Sequence, residues 1–141
     1  PTTPFKTKTT TSPYGSYEHP LDAMKLATAA GAAYSARWTT AHLSELKEAI
    51  KKALEVKGFR FIEVMTHCPT AYGRRAGFRD IAAMLKHFKD NAIALDMAEK
   101  MKIDELQGKI VVGEYMAEKR PTLVEAVYSM MKEAKQSGEQ D

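Results

Sequence analysis

The chain has 141 residues with a single cysteine, is 44% apolar and 28% charged, and carries a formal net charge of +3 at pH 7, enough apolar material for one domain or a large piece of one. One cysteine excludes an internal disulfide framework and points to a reducing, cytoplasmic setting. No apolar run approaches the roughly 18 residues of a membrane-spanning helix, and the Lys and Glu that alternate along stretches such as Glu45-Leu46-Lys47-Glu48 suit solvated helix faces better than a nucleic-acid or membrane partner.

Taken in order, Pro1 to Pro13 is Thr-rich without apolar period. It reads as a loop entered in mid-structure, with the expectation of processing or truncation before it. Tyr14-Gly15-Ser16-Tyr17 reads as a turn. Pro20 suits the first turn of a helix that carries Leu21, Met24 and Thr28 on one face and stops at Gly31. Ala32 to Trp38 predicts a short buried strand. Thr39 or Thr40 is placed to cap the next helix, where Leu43, Leu46, Ile50 and Leu54 recur at helical spacing and Gly58 marks the end. Phe59 to Met65 predicts a second buried strand. Residues 20–66 therefore read helix–strand–helix–strand, which implies a right-handed parallel βαβ unit.

Further on, Ile81, Met84, Leu85 and Phe88 mark a helix, and a short helical stretch covers 93–102. Ile110 to Tyr115 predicts a third strand. Pro121 opens a last helix with Val124, Val127, Tyr128 and Met131 facing inward, and the polar tail after Lys135 is expected to fray. Met84, Met97, Met101, Met130 and Met131 fall at helical spacings and are expected in the core. The sum is an α/β piece with three strands. Its sheet edges need cover from further polypeptide or a second copy, so self-association is expected.

Cys68 lies in the run His67-Cys68-Pro69-Thr70-Ala71-Tyr72-Gly73-Arg74-Arg75, just past the second strand. The carboxyl edge of an open α/β sheet is where ligands bind. A turn with arginines nearby favours a thiolate. Two roles stay open on local context, a small buried hydrophobe or a metal or cluster ligand. Zinc and iron–sulfur clusters need about four ligands, so a ligand role requires partners on polypeptide outside this chain. A cysteine-nucleophile enzyme is disfavoured, because no His/Asp pair is placed to activate the thiol.

The segments from Gly31 through Thr39-Thr40-Ala41-His42, from Lys57 to Val64, and Cys68-Pro69-Thr70-Ala71-Tyr72-Gly73-Arg74-Arg75 resemble the β subunit of 2-oxoacid:ferredoxin oxidoreductases, most closely the 2-oxoglutarate (2-oxoglutarate synthase) type. Pro1-Thr2-Thr3-Pro4 with Ser12-Pro13-Tyr14-Gly15 is similar to the loop after that family's Gly-Gly-Gln signature, and Gly113-Glu114-Tyr115 with Lys119-Arg120-Pro121 resembles its C-terminal region. The resemblance implies a partial doubly wound thiamine-diphosphate-binding α/β domain. It implies oxidative decarboxylation of a 2-oxoacid to acyl-coenzyme A, as in anaerobic metabolism, with electrons passed through a [4Fe–4S] cluster to ferredoxin. It further implies Mg²⁺ beside the diphosphate, and an α subunit, with γ and δ subunits in some assemblies, as partners. Cys68 matches the family's fourth cluster cysteine. The Gly-Asp-Gly motif, the Gly-Gly-Gln segment and the other cysteines are absent here, so the chain looks like the C-terminal half of such a subunit, expected to hold none of these cofactors and to be inactive alone. The resulting division is a loop at 1–19, a βαβ part with the cluster-ligand loop at 20–77, and a helical region with one strand at 78–141.

Other residues carry two roles each. Tyr14 and Gly15 either line the mouth of a cofactor site or simply form a turn. Arg37 meets an acidic group of a ligand or a structural partner, with the structural pair favoured. Arg74 and Arg75 tune or dock a cluster, or are solvated. His67 donates to a cluster sulfur or stays clear of it, and His42 sits on a helix surface. Tyr72-Gly73 shapes the turn presenting Cys68. The alternative to a catalytic subunit is a non-catalytic interaction or assembly domain. Pyruvate and branched-chain oxoacids remain open as substrates.

Overall fold

The computed structural model describes residues 2–116 and 121–138. Pro1 and the Lys119-Arg120 pair of the family resemblance lie outside them. The elements run α1 (Ala23–Ala29), β1 (Tyr34–Thr39), α2 (Leu43–Glu55), β2 (Arg60–Met65), a π turn (Pro69–Gly73), α3 (Ile81–Asn91), β3 (Ala92–Ala94), α4 (Leu95–Ala98), β4 (Ile110–Met116) and α5 (Leu123–Gly138). The strands form one sheet in the order β2-β1-β4-β3. β1 and β2 are parallel, with Thr39 opposite Met65. β4 lies antiparallel to β1 and parallel to β3.

The parallel βαβ unit expected from the sequence is present, and the α/β class holds. The strand count is four rather than three, and the sheet is mixed. The added strand falls where a helix over 93–102 was expected. Asn91 ends α3 by donating to the His87 carbonyl, Ala92 turns extended, and Ala92–Ala94 pairs with Ile110–Val112 before a single helical turn follows.

The starts of α1 and α5 differ from expectation and that of α3 agrees, each set by the pull of a side-chain acceptor on unpaired N–H groups. Asp22 caps α1 by accepting from the Lys25 N–H at 3.0 Å, so the helix begins after Pro20 and Leu21. Asp80 accepts from the Ala83 N–H at the start of α3. Thr122 and Glu125 accept reciprocally from each other's N–H ahead of α5, a capping box two residues past the expected start. Neither Thr39 nor Thr40 caps α2, whose cap residue is His42. Thr39 is buried and spends its hydroxyl on the Ala41 N–H and the His42 ring.

Packing departs furthest from the sequence-based expectation. The core joins Tyr34 and Ala36 of β1 to Ala49 and Ala53 of α2, with Trp38, Val56 and Ile62 around them. Two alanines let α2 sit close on the sheet, so its Leu43, Ile50 and Leu54 point away from it, Leu54 being 75% exposed. α5 likewise leaves Val124, Val127, Tyr128 and Met131 exposed rather than inward. Of the methionines expected in the core, Met84 is buried, Met101 half-buried, and Met97, Met130 and Met131 exposed. β2 is an edge strand, half-buried rather than buried.

The other face of β1 holds a polar knot. Thr28 donates to the Met24 carbonyl, which leaves Ser35 to donate to Thr28 at 2.6 Å. Arg37 bonds Glu63 of β2 at 2.7 Å and Asp22 at the start of α1 at 2.6 Å, its side chain only 11% exposed. Arg37 is therefore the structural pair favoured from the sequence. Burial alone would raise Asp22, but the Lys25 N–H and the Arg37 guanidinium outweigh it and hold the carboxyl below its ordinary value.

Removing Arg37 strands two half-buried carboxylates. Arg37→Ala is expected to lower unfolding stability by about 3 kcal/mol, read from denaturant midpoints. The depressed Asp22 pKa adds stability above its unfolded value of 3.8 that is lost as pH falls through the lower folded value. The acid-side slope should therefore flatten in Arg37→Ala, and an unchanged slope would count against the ion network.

Candidate functional site

Parallel pairing of β1 and β2 brings their carboxyl ends to one edge, and the residues beyond them converge there. The Thr40 N–H donates to the Met65 carbonyl, and Thr40 Oγ1 bonds His67 Nδ1 at 3.0 Å. This ties the β1–α2 turn to the segment leading into Cys68. Pro69 then opens the π turn, which closes with the Gly73 N–H on the Cys68 carbonyl at 2.8 Å. Cys68 itself is extended and occupies the cap position.

The sulfur is exposed rather than buried, which removes the small-hydrophobe role. The N–H groups of Tyr72 and Ala71 and the Thr70 hydroxyl favour the thiolate and bring its pKa down from 9.0 to about 7. A thiolate was expected here, but from arginine charge. The cause is instead the turn's own donors, while Arg74 and Arg75 are exposed. The side-chain bond of the sulfur goes to Thr70 Oγ1 at 3.7 Å. Among the described residues, no group of three or more His, Cys, Asp or Glu converges to hold a metal ion.

The turn is braced from behind by α3. A methyl group at Gly73 would stand 2.8 Å from Met84 Sδ and 3.2 Å from the Cys68 carbonyl oxygen. Met84 is buried and has little room to give way. Tyr72 leans on Phe78, which meets His87 edge-on at 5.1 Å. Tyr72 thus supports the turn, as the sequence suggested. The N-terminal loop passes alongside it. A hollow of about 200 Å³ lies between that loop and the turn, lined by Thr9, Thr10, Thr11, Ala71 and Tyr72.

Gly15 is buried at φ 107°, and a side chain there would strike the Lys6 carbonyl at 2.9 Å. The turn accounts for it. Tyr14 beside it is 86% exposed. His42 bonds Thr39 and leans on Trp38 at the mouth of α2. Two contributors escaped the sequence reading, Thr40 as the anchor of His67 and Thr70 as a partner of the sulfur. Both are threonines placed where a strand or turn ends, a signal too common to single out.

Comparison with known proteins gives this geometry its context. The family model described as thiamine pyrophosphate enzyme, C-terminal TPP binding domain, matches residues 1–64. Over 135 residues, 96% of this chain, the sequence is 50% identical to the 2-oxoglutarate synthase subunit KorB of Methanocaldococcus jannaschii. This chain is a relative of the KorB subunits. The KorB of Methanothermobacter thermautotrophicus is 45% identical over 94% of the chain. The match covers 50% and 46% of those two proteins, so the chain spans about half the length of the curated relatives it matches. A solved 2-oxoglutarate:ferredoxin oxidoreductase from Magnetococcus marinus, with 2-oxoglutarate, coenzyme A and succinyl-CoA bound, superposes with a TM-score of 0.69 over 95% of this chain and 46% of its own. At 21% identity it shows the fold. The resemblance to the 2-oxoglutarate type of 2-oxoacid:ferredoxin oxidoreductase is thereby borne out, with KorB as the subunit matched.

The thiolate is the reactive form, so alkylation of Cys68 by iodoacetamide should accelerate as pH rises through about 7. An inflection near 9 would mean the turn donors do not reach the sulfur. Gly73→Ala, by forcing the turn off Met84, should destabilise the fold by about 1–3 kcal/mol and move that inflection upward.

Proposed function

We propose that this chain forms part of the thiamine-diphosphate subunit of a 2-oxoglutarate:ferredoxin oxidoreductase, and that Cys68 supplies one thiolate to a [4Fe–4S] cluster. One observation supports this above the others: an exposed sulfur at the carboxyl edge of a parallel strand pair, surrounded by hydrogen-bond donors and backed by α3. A cluster takes cysteine thiolates with hydrogen bonds to sulfur, and this sulfur fits one corner. The remaining ligands, together with the groups that hold Mg²⁺ and the diphosphate, come from polypeptide outside this chain. When bound, thiamine diphosphate supplies the electron sink for decarboxylation and the cluster the route for electrons toward ferredoxin. The overall conversion takes 2-oxoglutarate, coenzyme A and two oxidised ferredoxins to succinyl-CoA, carbon dioxide, two reduced ferredoxins and a proton.

Within this scheme the chain's residues do local work. Thr40 orients the imidazole of His67, the residue before Cys68 in the chain. Tyr72 of the Cys68 turn lies beside the N-terminal loop, which in the family resemblance follows a segment that borders thiamine. The nearness of the loop to the turn supports Tyr14 and Gly15 as lining the mouth of the cofactor site. The α subunit, and γ and δ subunits where present, ferredoxin and coenzyme A are the proposed partners in a reducing, cytoplasmic setting.

A second function, a non-catalytic interaction or assembly domain, is favoured by the outward leucines of α2 and the apolar residues of α5. Exposed apolar surface on this scale marks a docking face. Alone, the chain should self-associate with rising concentration in light scattering, and a monodisperse monomer across the range would argue against these faces as docking surfaces.

The catalytic proposal is tested by co-expressing the chain with the polypeptides that complete the relatives' length and assembly. Cys68→Ala should remove the iron and paramagnetic signal of one cluster and abolish ferredoxin reduction, while circular dichroism of this chain stays the same. Unchanged iron and unchanged electron transfer would take Cys68 out of the ligand set and leave the assembly role.

A further inference from the structure

We infer that α5 is a homodimerisation helix, lying antiparallel against α5 of a second copy of this chain through Val124, Val127, Tyr128 and Met131. This pairing, which rests on the docking function described above, gives that surface its occupant. α5 runs for 16 residues, Leu123–Gly138, which is about 24 Å of helix. Its hold on its own domain is slight. Lys57 reaches Glu125 at 3.2 Å, and from Leu123 to Ser137 only Ala126 is even half-buried. A lone helix of this length is marginal in water, and its stability has to come from packing of an apolar face. Val124, Val127, Tyr128 and Met131 form such a face at i, i+3, i+4 and i+7, and all four are exposed.

Two features of α5 single out its own copy as the occupant. The apolar spacing is unchanged when the helix is reversed, so an antiparallel neighbour sets Val124 opposite Met131 and Val127 opposite Tyr128. Each level then joins one valine to one larger side chain, and the layers interdigitate. Charge obeys the same symmetry. Acid lies in the first turn at Glu125, and base lies further along at Lys132 and Lys135. Glu125 and Lys132 are seven residues apart and share one flank of the stripe. Reversal brings each beside the other on the facing copy, twice by symmetry. Glu133 lies on the far side of the helix, where it accepts from Ser129 at 3.2 Å. A parallel neighbour would instead set Glu125 against Glu125 and Lys132 against Lys132, with the helix dipoles aligned unfavourably. The contact is at the small end of interface sizes, so the pair should form in the micromolar range.

The test is sedimentation of the full chain across a concentration series, with reductant present so that Cys68 forms no disulfide. Val124→Glu and Met131→Lys should each weaken self-association at least tenfold, with the domain's near-ultraviolet circular dichroism retained. Gln136→Lys, on the polar side of α5, should leave association unchanged. Mixing the Val124→Glu and Met131→Lys chains should restore it, since antiparallel alignment sets the introduced opposite charges face to face. Weakening without rescue in the mixture overturns the antiparallel pairing. Self-association that neither variant alters belongs to another face, such as the leucines of α2, and overturns this inference while the docking function stands. A monomer at every concentration overturns both. Variants that release a different subunit from the co-expressed assembly, with self-association untouched, also overturn it and give α5 to that subunit.

Discussion

Arg37 holds the structure in register. It faces Glu63 directly across the β1–β2 pair and reaches Asp22 at the start of α1. The same two residues that form the ion pair thus define the strand alignment. A slip of one residue would turn Arg37 toward the alanine-lined core and place Tyr34, Ala36 and Trp38 on the polar side. It would also break the match of Thr39 with Met65, from which the Cys68 turn is hung. The site at the carboxyl edge is a consequence of that alignment and needs no separate support along the strands.

Small side chains decide where the apolar surface goes. Ala49 and Ala53 bring α2 close to the sheet and turn its larger residues outward. The outcome is a domain piece that buries little bulk and shows much. Among the described residues, the largest side chains wholly sealed from solvent are Tyr34, Met84, Thr39 and Ser35. Such a body depends on neighbours to cover it, which agrees with a chain matching half of each KorB relative.

Much of the fold was legible because its signals are periodic. The repeat in Leu43, Leu46, Ile50 and Leu54 located α2, and the apolar runs located β1, β2 and β4. Periodicity shows which helix face is apolar but not which face meets the sheet: α2 turns its larger apolar residues outward, and α5 leaves the residues expected inward exposed. β3 was missed because Ala92-Ile93-Ala94 has no strand character of its own and exists only through pairing with β4. The caps at Asp22 and Thr122 were readable, but Pro20 and Pro121 drew the boundaries instead. At the site, the motif around Cys68 pointed to a thiol that the structure leaves exposed and whose pKa the turn lowers. That π turn is invisible in sequence, because it depends on Gly73 settling against Met84 from a helix several residues away.

Cys68 carries a further consequence for the chain in isolation. With a pKa of about 7, roughly half of this sole thiol is ionised at neutral pH, and it is open to solvent. Its only possible disulfide partner is the same residue on another molecule. In air the chain will accumulate covalent pairs joined sulfur to sulfur, and these give way to reductant whereas contacts made by α2 and α5 do not.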